Sequence, residues 1–336
     1  QDTRSQNEAD LFAVEIPDVA KDFGLSLPWA PSGILPKVRW LKEHEPKILQ
    51  KDSRLLQAKD FLLFHLTGQF SSDNWSSKGL IHATTLKPTQ AWKSLGLPNE
   101  LIPAIGKPWE VTGATSVGNK FLPSGIPVAI GWSDALAGML ALEVFSKPTA
   151  FVISGSSDIA GISCRKLSEG KHNLSTVPES CAPIPVIFGP TQSSGSAISW
   201  AADLFNSTPE ELLSKSLESS NAHNEIFLPY LAGERAPIWR SDIRALFAGL
   251  SHQSKFGDIA HAVIFGVGFT ARHIIDQAKS LSDELPSTVH LGGASHQSKL
   301  WRDIRSRILR SEVISFSESD SSSIGAAILA ASAASG

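Results

Sequence analysis

Cysteine is nearly absent from this chain, with two residues in 336, Cys164 and Cys181. Two thiols cannot frame a disulfide scaffold or a cysteine-rich zinc site, so an oxidising compartment is not indicated. The ten histidines show no paired, metal-ligating spacing, which argues against a zinc enzyme. No run of about 18 apolar residues exists, so a membrane-spanning helix is not expected. Positive charge does not accumulate either. Lys and Arg number 30 against 33 Asp and Glu, a net charge of −3, and no basic stripe offers itself to a nucleic acid. Internal repeats and long low-complexity stretches are missing. Neither a secretory leader nor an initiating Met opens the chain; Gln1-Asp2-Thr3-Arg4 reads as the middle of something longer.

What is present is ordinary globular composition, 42% hydrophobic and 19% charged over a length that suits two domains, each with its own core. The most telling stretch is 126–158. Ile126-Pro127-Val128-Ala129-Ile130-Gly131 reads as a short buried strand whose C-terminal end presents a lone carboxylate, Asp134. Thr149 to Ser154 and Ile159 to Cys164 straddle Gly155-Ser156-Ser157 and read as a β-hairpin. A turn of Gly and Ser exposes N–H groups and hydroxyls, as an anionic phosphate requires. A base at one strand end with an anion cradle elsewhere suggests phosphoryl transfer to a hydroxyl.

The rest of the chain supplies the frame. Residues 1–24 read as polar chain with scattered apolar positions, followed by a loop punctuated by Pro28, Pro31 and Pro36. Helices are expected over Ile34 to Leu49 and Leu55 to Leu66, the second stopping at Gly68. Prolines at 88, 98, 103 and 108 break the stretch from Leu86 to Gly113 into short helices and turns. Ala135 to Phe145 should be helical, with a hinge near 139–148, then a polar excursion over 165–185 and a helix from Ala197 to Phe205. Phe256 to Leu281 carries apolar residues at three-four spacing and predicts a long, largely buried helix. Thr288 to Leu291 is a strand running into Gly292-Gly293, and Ser298 caps the helix that follows. Ile324 to Ser332 is an Ala-rich helix.

Several of these motifs carry two readings. Asp134 is a candidate general base; its spacing by itself suits a helix N-cap better, and the two roles are compatible. Gly155-Ser156-Ser157 could cradle phosphate or simply turn a hairpin. Gly292-Gly293-Ala294, between a strand and a capped helix, suits both ligand approach and close packing. Gly233-Glu234-Arg235-Ala236-Pro237 could be a surface turn whose acid and base pair with each other. Gly266 and Gly268 imitate a dinucleotide fingerprint, but they lie inside a helical pattern with no preceding strand. A nicotinamide dehydrogenase built on them is therefore disfavoured.

Taken in order, the segments resemble the FGGY carbohydrate kinase family, which includes glycerol, xylulose, ribulose and gluconate kinases. The resemblance spans nearly the whole chain. Its most specific piece is Pro229 to Pro237, followed by Arg244 and Gly249-Leu250. The others are Gly131 to Asp134, Gly155-Ser156-Ser157, Ser194-Gly195-Ser196 to Trp200, Gly292 to Trp301, and Gly325-Ala326-Ala327. It implies an α/β fold of two actin-like (ribonuclease H-like) domains, each a mixed sheet flanked by helices, with a cleft between them. Residues 1–143 would be the remainder of the N-terminal, sugar-side domain and 144–336 the C-terminal, nucleotide-side domain.

The implied activity is ATP-dependent phosphorylation of a sugar or polyol hydroxyl, such as a ketopentose or gluconate, in the cytoplasm. Asp134 matches the family's catalytic base and would meet Mg²⁺ through water. Gly155, Ser156 and Ser157 match its second phosphate loop, Gly195 and Ser199 its nucleotide pocket, and Gly292, Gly293, Ala294 and Gln297 its adenosine-side motif. Gln1, Asp2, Arg4, Trp29 and Trp132 would border the sugar. The family's first phosphate loop is expected upstream of Gln1. A catalytically impaired relative that binds sugar or nucleotide is the alternative. Partners would be a small sugar or polyol, with no nucleic acid and no membrane; a homodimer is one open assembly.

Overall fold

The computed structural model describes residues 2–118, 120, 122–167, 172–218, 224–283, 286–316 and 320–335. The chain divides into two compact units, one of Gln1–Ala137, Ser175–Pro183 and Ser322–Gly336, the other of Gly138–Leu174 and Ile184–Ser321. The division falls within the helix Asp134–Ala141, ahead of the stretch expected as a hinge. Packing explains the placement. The C-terminal helix Ser321–Ser335 lies so close to the start of this helix that a Cβ on Gly325 would sit 1.7 Å from the Ala137 carbonyl oxygen. Two excursions thus join the first unit that a single linear boundary at 143 cannot express.

The first unit is mostly helical. Residues 1–24, expected only as polar chain, fold into Gln6–Glu15 and Val19–Phe23. Few apolar positions suffice there because Ala9, Phe12 and Phe23 all point inward and are buried. Asp18 caps the second helix by accepting the Lys21 N–H at 3.1 Å. The helix expected over Ile34 to Leu49 ends at His44, and a 3₁₀ turn covers Pro46–Ile48. Proline disfavours helical backbone in the residue before it, here Glu45. Ala58–Thr67 closes on Gly68 at φ 76°, as expected. The strand before Asp134 is shorter and less buried than its composition suggests. Pro127–Ala129 pairs antiparallel with Val111–Ala114, and its residues are exposed or half-buried.

The second unit is layered. Five of its strands stand side by side in the order Glu312–Ser315, Thr288–Gly292, Ala150–Ser154, Asp158–Ser163, Val186–Pro190. The first three run parallel and the hairpin reverses direction, giving a mixed sheet. The long helix Phe256–Ser280 works on two fronts. Its second half, through Ala271, Ile274, Ile275 and Ala278, packs on Val152, Ile162, Val289 and Leu291 of the sheet. Its first half, through Ala260, Val263 and Ile264, packs with Ala201, Leu212, Trp301 and Ile308 of neighbouring helices. Gly266 and Gly268 serve that packing, since a Cβ would lie 2.2 Å from the Phe227 carbonyl oxygen and 2.3 Å from the Ile308 methyl. After Asp134 the helix is shorter than expected, because Glu143 takes a left-handed φ of 56° and the chain turns out.

Candidate active site

Backbone bonds build the site of the second unit. Gly155 N–H donates to the Ser157 carbonyl at 2.9 Å, closing the hairpin turn. The helix Gly195–Leu204 starts against it. Ser194 and Ser196 N–H donate to the Ser156 carbonyl at 2.8 and 3.1 Å, and the Ser196 hydroxyl joins them at 2.9 Å. Gly195 N–H reaches the Gly155 carbonyl at 3.2 Å, and a Cβ there would stand 2.7 Å from that oxygen. Glycine permits the approach. Gly293, at φ 100°, closes on the hairpin from another side, its imagined Cβ 2.0 Å from the Ser154 carbonyl oxygen.

Gly155, Gly195 and Ala294 therefore border one pocket of about 230 Å³, with Ile198, Leu213 and Trp301 as apolar wall. Ser194, Ser298 and Glu210 add polar groups to its lining. The first N–H groups of this helix are taken up by the hairpin carbonyls, so what the helix start lends the pocket is partial positive charge, which favours an anion. Ser156 and Ser157 stay in the turn without lining the pocket; Gly292 and Gly293 are buried behind Ala294. Ser199 and Gln297 are exposed and outside its lining.

Beneath the turn lies a buried polar network. Asp158 Oδ1 accepts the Ser154 hydroxyl at 2.7 Å, and Arg305 Nη2 meets Asp158 Oδ2 at 2.5 Å with both side chains fully buried. His296 Nδ1 lies 2.8 Å from the Gly292 carbonyl, an atom that can only accept, so the proton sits on Nδ1. Burial, reinforced by the Arg305 charge, pushes His296 down to about 4. Glu234 and Arg235 do not pair with each other as their adjacency suggests. Glu234 accepts the Gln192 and Arg235 N–H groups at 2.5 and 2.8 Å, while the Arg235 guanidinium donates to the Thr191 carbonyl. Both side chains thereby clamp the segment leading into the helix at Gly195.

The first unit holds the remaining candidates. Asp134 is exposed and is the first residue of its helix rather than a residue before it; its Oδ1 accepts the Ala135 N–H at 2.8 Å. Trp29 stacks on Phe12 at 4.9 Å and donates its indole N–H to the Ile16 carbonyl at 3.1 Å. Trp132 is buried, edge-on to Trp109 at 6.2 Å. Asp2 and Arg4 pair at 2.7 Å, and Arg4 lies 4.5 Å over Trp40 beside a pocket of about 110 Å³. Gln1 lies outside the described residues.

Two family domain models match the chain. The N-terminal domain of the FGGY family of carbohydrate kinases covers residues 1–141, and its C-terminal domain covers residues 150–334. The chain belongs to the FGGY family of carbohydrate kinases. A xylulose kinase of Escherichia coli (strain K12) is 27% identical over 90% of this chain and 64% of that protein. The chain thus spans under two thirds of the length of this curated relative. Among solved structures, a xyloylose (xylulose) kinase from Brucella ovis superposes with a TM-score of 0.88 at 24% identity, covering 100% of this chain and 70% of that one. A Plasmodium falciparum glycerol kinase with ADP gives 0.87 at 22% identity over 99% and 69%. The FGGY fold, two-domain and actin-like, is therefore that of this chain.

Within this FGGY chain the sequence reading missed two charged residues. Lys78 borders a small cavity with Trp29 and Gly33. Its Nζ sits 3.6 Å over the Trp75 ring and donates to the Trp75 carbonyl at 3.4 Å. Burial pushes it down to about 8, opposed by the charges of Asp73 and Asp134. Asp73 is already bound to Lys59 at 3.0 Å, and among the described residues no carboxylate bridges Lys78. Arg305 was the second omission. Its signal was available: four residues after Trp301 and three before Ile308, it falls on the buried face of a helix.

Proposed function

We propose that the protein carrying this chain is a sugar or polyol kinase that transfers the γ-phosphoryl group of ATP to a substrate hydroxyl, with Asp134 as general base. The observation that carries the reading is the meeting of Gly155, Gly195 and Ala294, distant in sequence, around one pocket with a helix start beside it. Small residues and the partial positive charge of a helix start admit phosphate without the bulk of long side chains. Trp301 and Ile198 offer the flat apolar wall that an adenine ring suits. The xylulose kinase relative and the ADP-bound glycerol kinase support the nucleotide and the substrate class.

Asp134 is exposed and its second carboxylate oxygen is left for substrate. It would accept the hydroxyl proton as that oxygen attacks phosphorus. Among the described residues no trio of His, Cys, Asp or Glu could hold a metal alone. A lone carboxylate fits Mg²⁺, which keeps several waters and is shared with phosphates. When bound, Mg²⁺ neutralises charge on the phosphates. Asp134 would contact it through water.

The test is ATP consumption over a panel of ketopentoses, polyols and aldonates. Asp134→Asn should lower turnover by at least about a hundredfold while ATP binding stays within about twofold. Unchanged turnover would remove Asp134 from the reaction.

A further inference from the structure

We infer that Arg305 is a positioning residue for the pocket bordered by Gly155 and Trp301, coupling the phosphate turn to the helix that forms the opposite wall. The inference rests on reading that pocket as the nucleotide side. Two contacts meet on this one side chain. Through Nη2 it holds Asp158 at 2.5 Å. The Asp158 carboxylate in turn accepts the Ser154 hydroxyl at 2.7 Å, while the Asp158 main chain bonds to Thr191 at 2.8 and 2.9 Å. Ser154 immediately precedes Gly155, so the carboxylate that Arg305 holds also holds the start of the turn, and Thr191, bonded to the main chain of the same residue, leads to Ser194. The guanidinium also lies 4.5 Å over the ring of Trp301, which lines the pocket.

A purely stabilising role explains this poorly. Taking two charges fully out of water is costly, and well-packed apolar residues of the same volume often do as well or better. The pair is not even saturated, since Arg305 Nε and Nη1 have no hydrogen-bond partner among the described residues. What an ion pair does better than an apolar pair is fix direction: a carboxylate and a guanidinium meet along defined axes. Here those axes join the turn at 154–158 to the helix Lys299–Leu309.

The experiment is calorimetric titration of the full chain with ADP, alongside thermal unfolding. Arg305→Met, which keeps length and apolar stem, should weaken ADP binding by about tenfold or more. Asp158→Asn should do the same, and the double variant should be no worse than either single one, because both break one linkage. Arg305→Lys, keeping the charge but losing the planar fork, should recover part of the affinity. It also guards against a Met variant that fails to fold. Folded variants with unchanged ADP affinity and lowered Tm would overturn the inference and leave the nucleotide reading standing. Absence of ADP binding by the unsubstituted chain would sink both.

Discussion

The two units place their candidate residues by different means. In the second, Gly155, Ser194, Gly195 and Ser196 are tied together by main-chain bonds, and Gly293 is pressed against the Ser154 carbonyl. In the first, the candidates are side chains in separate settings. Asp2 and Arg4 sit beside Trp40, Trp29 is stacked in the core, Trp132 lies against Trp109, and Asp134 stands at a helix start. A site made of backbone depends on which positions can be glycine; a site made of side chains depends on every residue in it. The physical lesson is that a site shaped by main-chain packing tolerates exchange of most side chains around it, whereas one made of Trp, Lys and Asp side chains changes with each of them.

Adding one methyl group to the backbone-built site breaks this contrast hardest. Gly293→Ala puts a Cβ 2.0 Å from a carbonyl oxygen at φ 100°, so steric clash and backbone strain add. Stability should fall by about 3 kcal/mol or more in a denaturant melt. A loss below about 1 kcal/mol would show that the turn is looser than described.

An acid titration sharpens the comparison next. His296 is held near 4 in the folded chain against an ordinary 6.5, so the unfolded chain binds the extra proton between those values. Stability from this group is complete above pH 6.5 and is lost as the pH falls towards 4, on the order of 2 kcal/mol. His296→Asn should flatten that limb, and unfolding curves at pH 7 and 4.5 would read the difference.

In the first unit Lys78 predicts a smaller effect at the other end of the scale. Its folded value near 8 lies below the ordinary 10.5, so the charged form is penalised in the fold. Stability should rise as pH climbs from 8 to 10.5, where the unfolded chain keeps the proton and the folded chain releases it. Lys78→Met should be more stable than the parent at pH 7, with the gap closing by pH 10. A gap that is constant with pH would mean that Lys78 titrates normally.

The reach of the sequence follows from range. The hairpin around Gly155 and the long helix from Phe256 were legible because alternation and three-four spacing are properties of neighbouring residues. Gly68 and Ser298 were legible as helix ends for the same reason. The helix Gln6–Glu15 was not, since a small number of inward apolar residues leaves too faint a stripe in a polar stretch. Pro127–Ala129 was over-read as buried because composition reports how apolar a strand is and not how far the fold covers it. Motif order alone pointed to the family and to Gly155, Gly195 and Ala294 as candidates. That these three border one pocket, that Lys78 sits over Trp75 beside Trp29, and that Arg305 reaches Asp158 across 147 residues are facts of folding. Local spacing cannot contain them, because which charges meet inside a protein is set by how its layers stack.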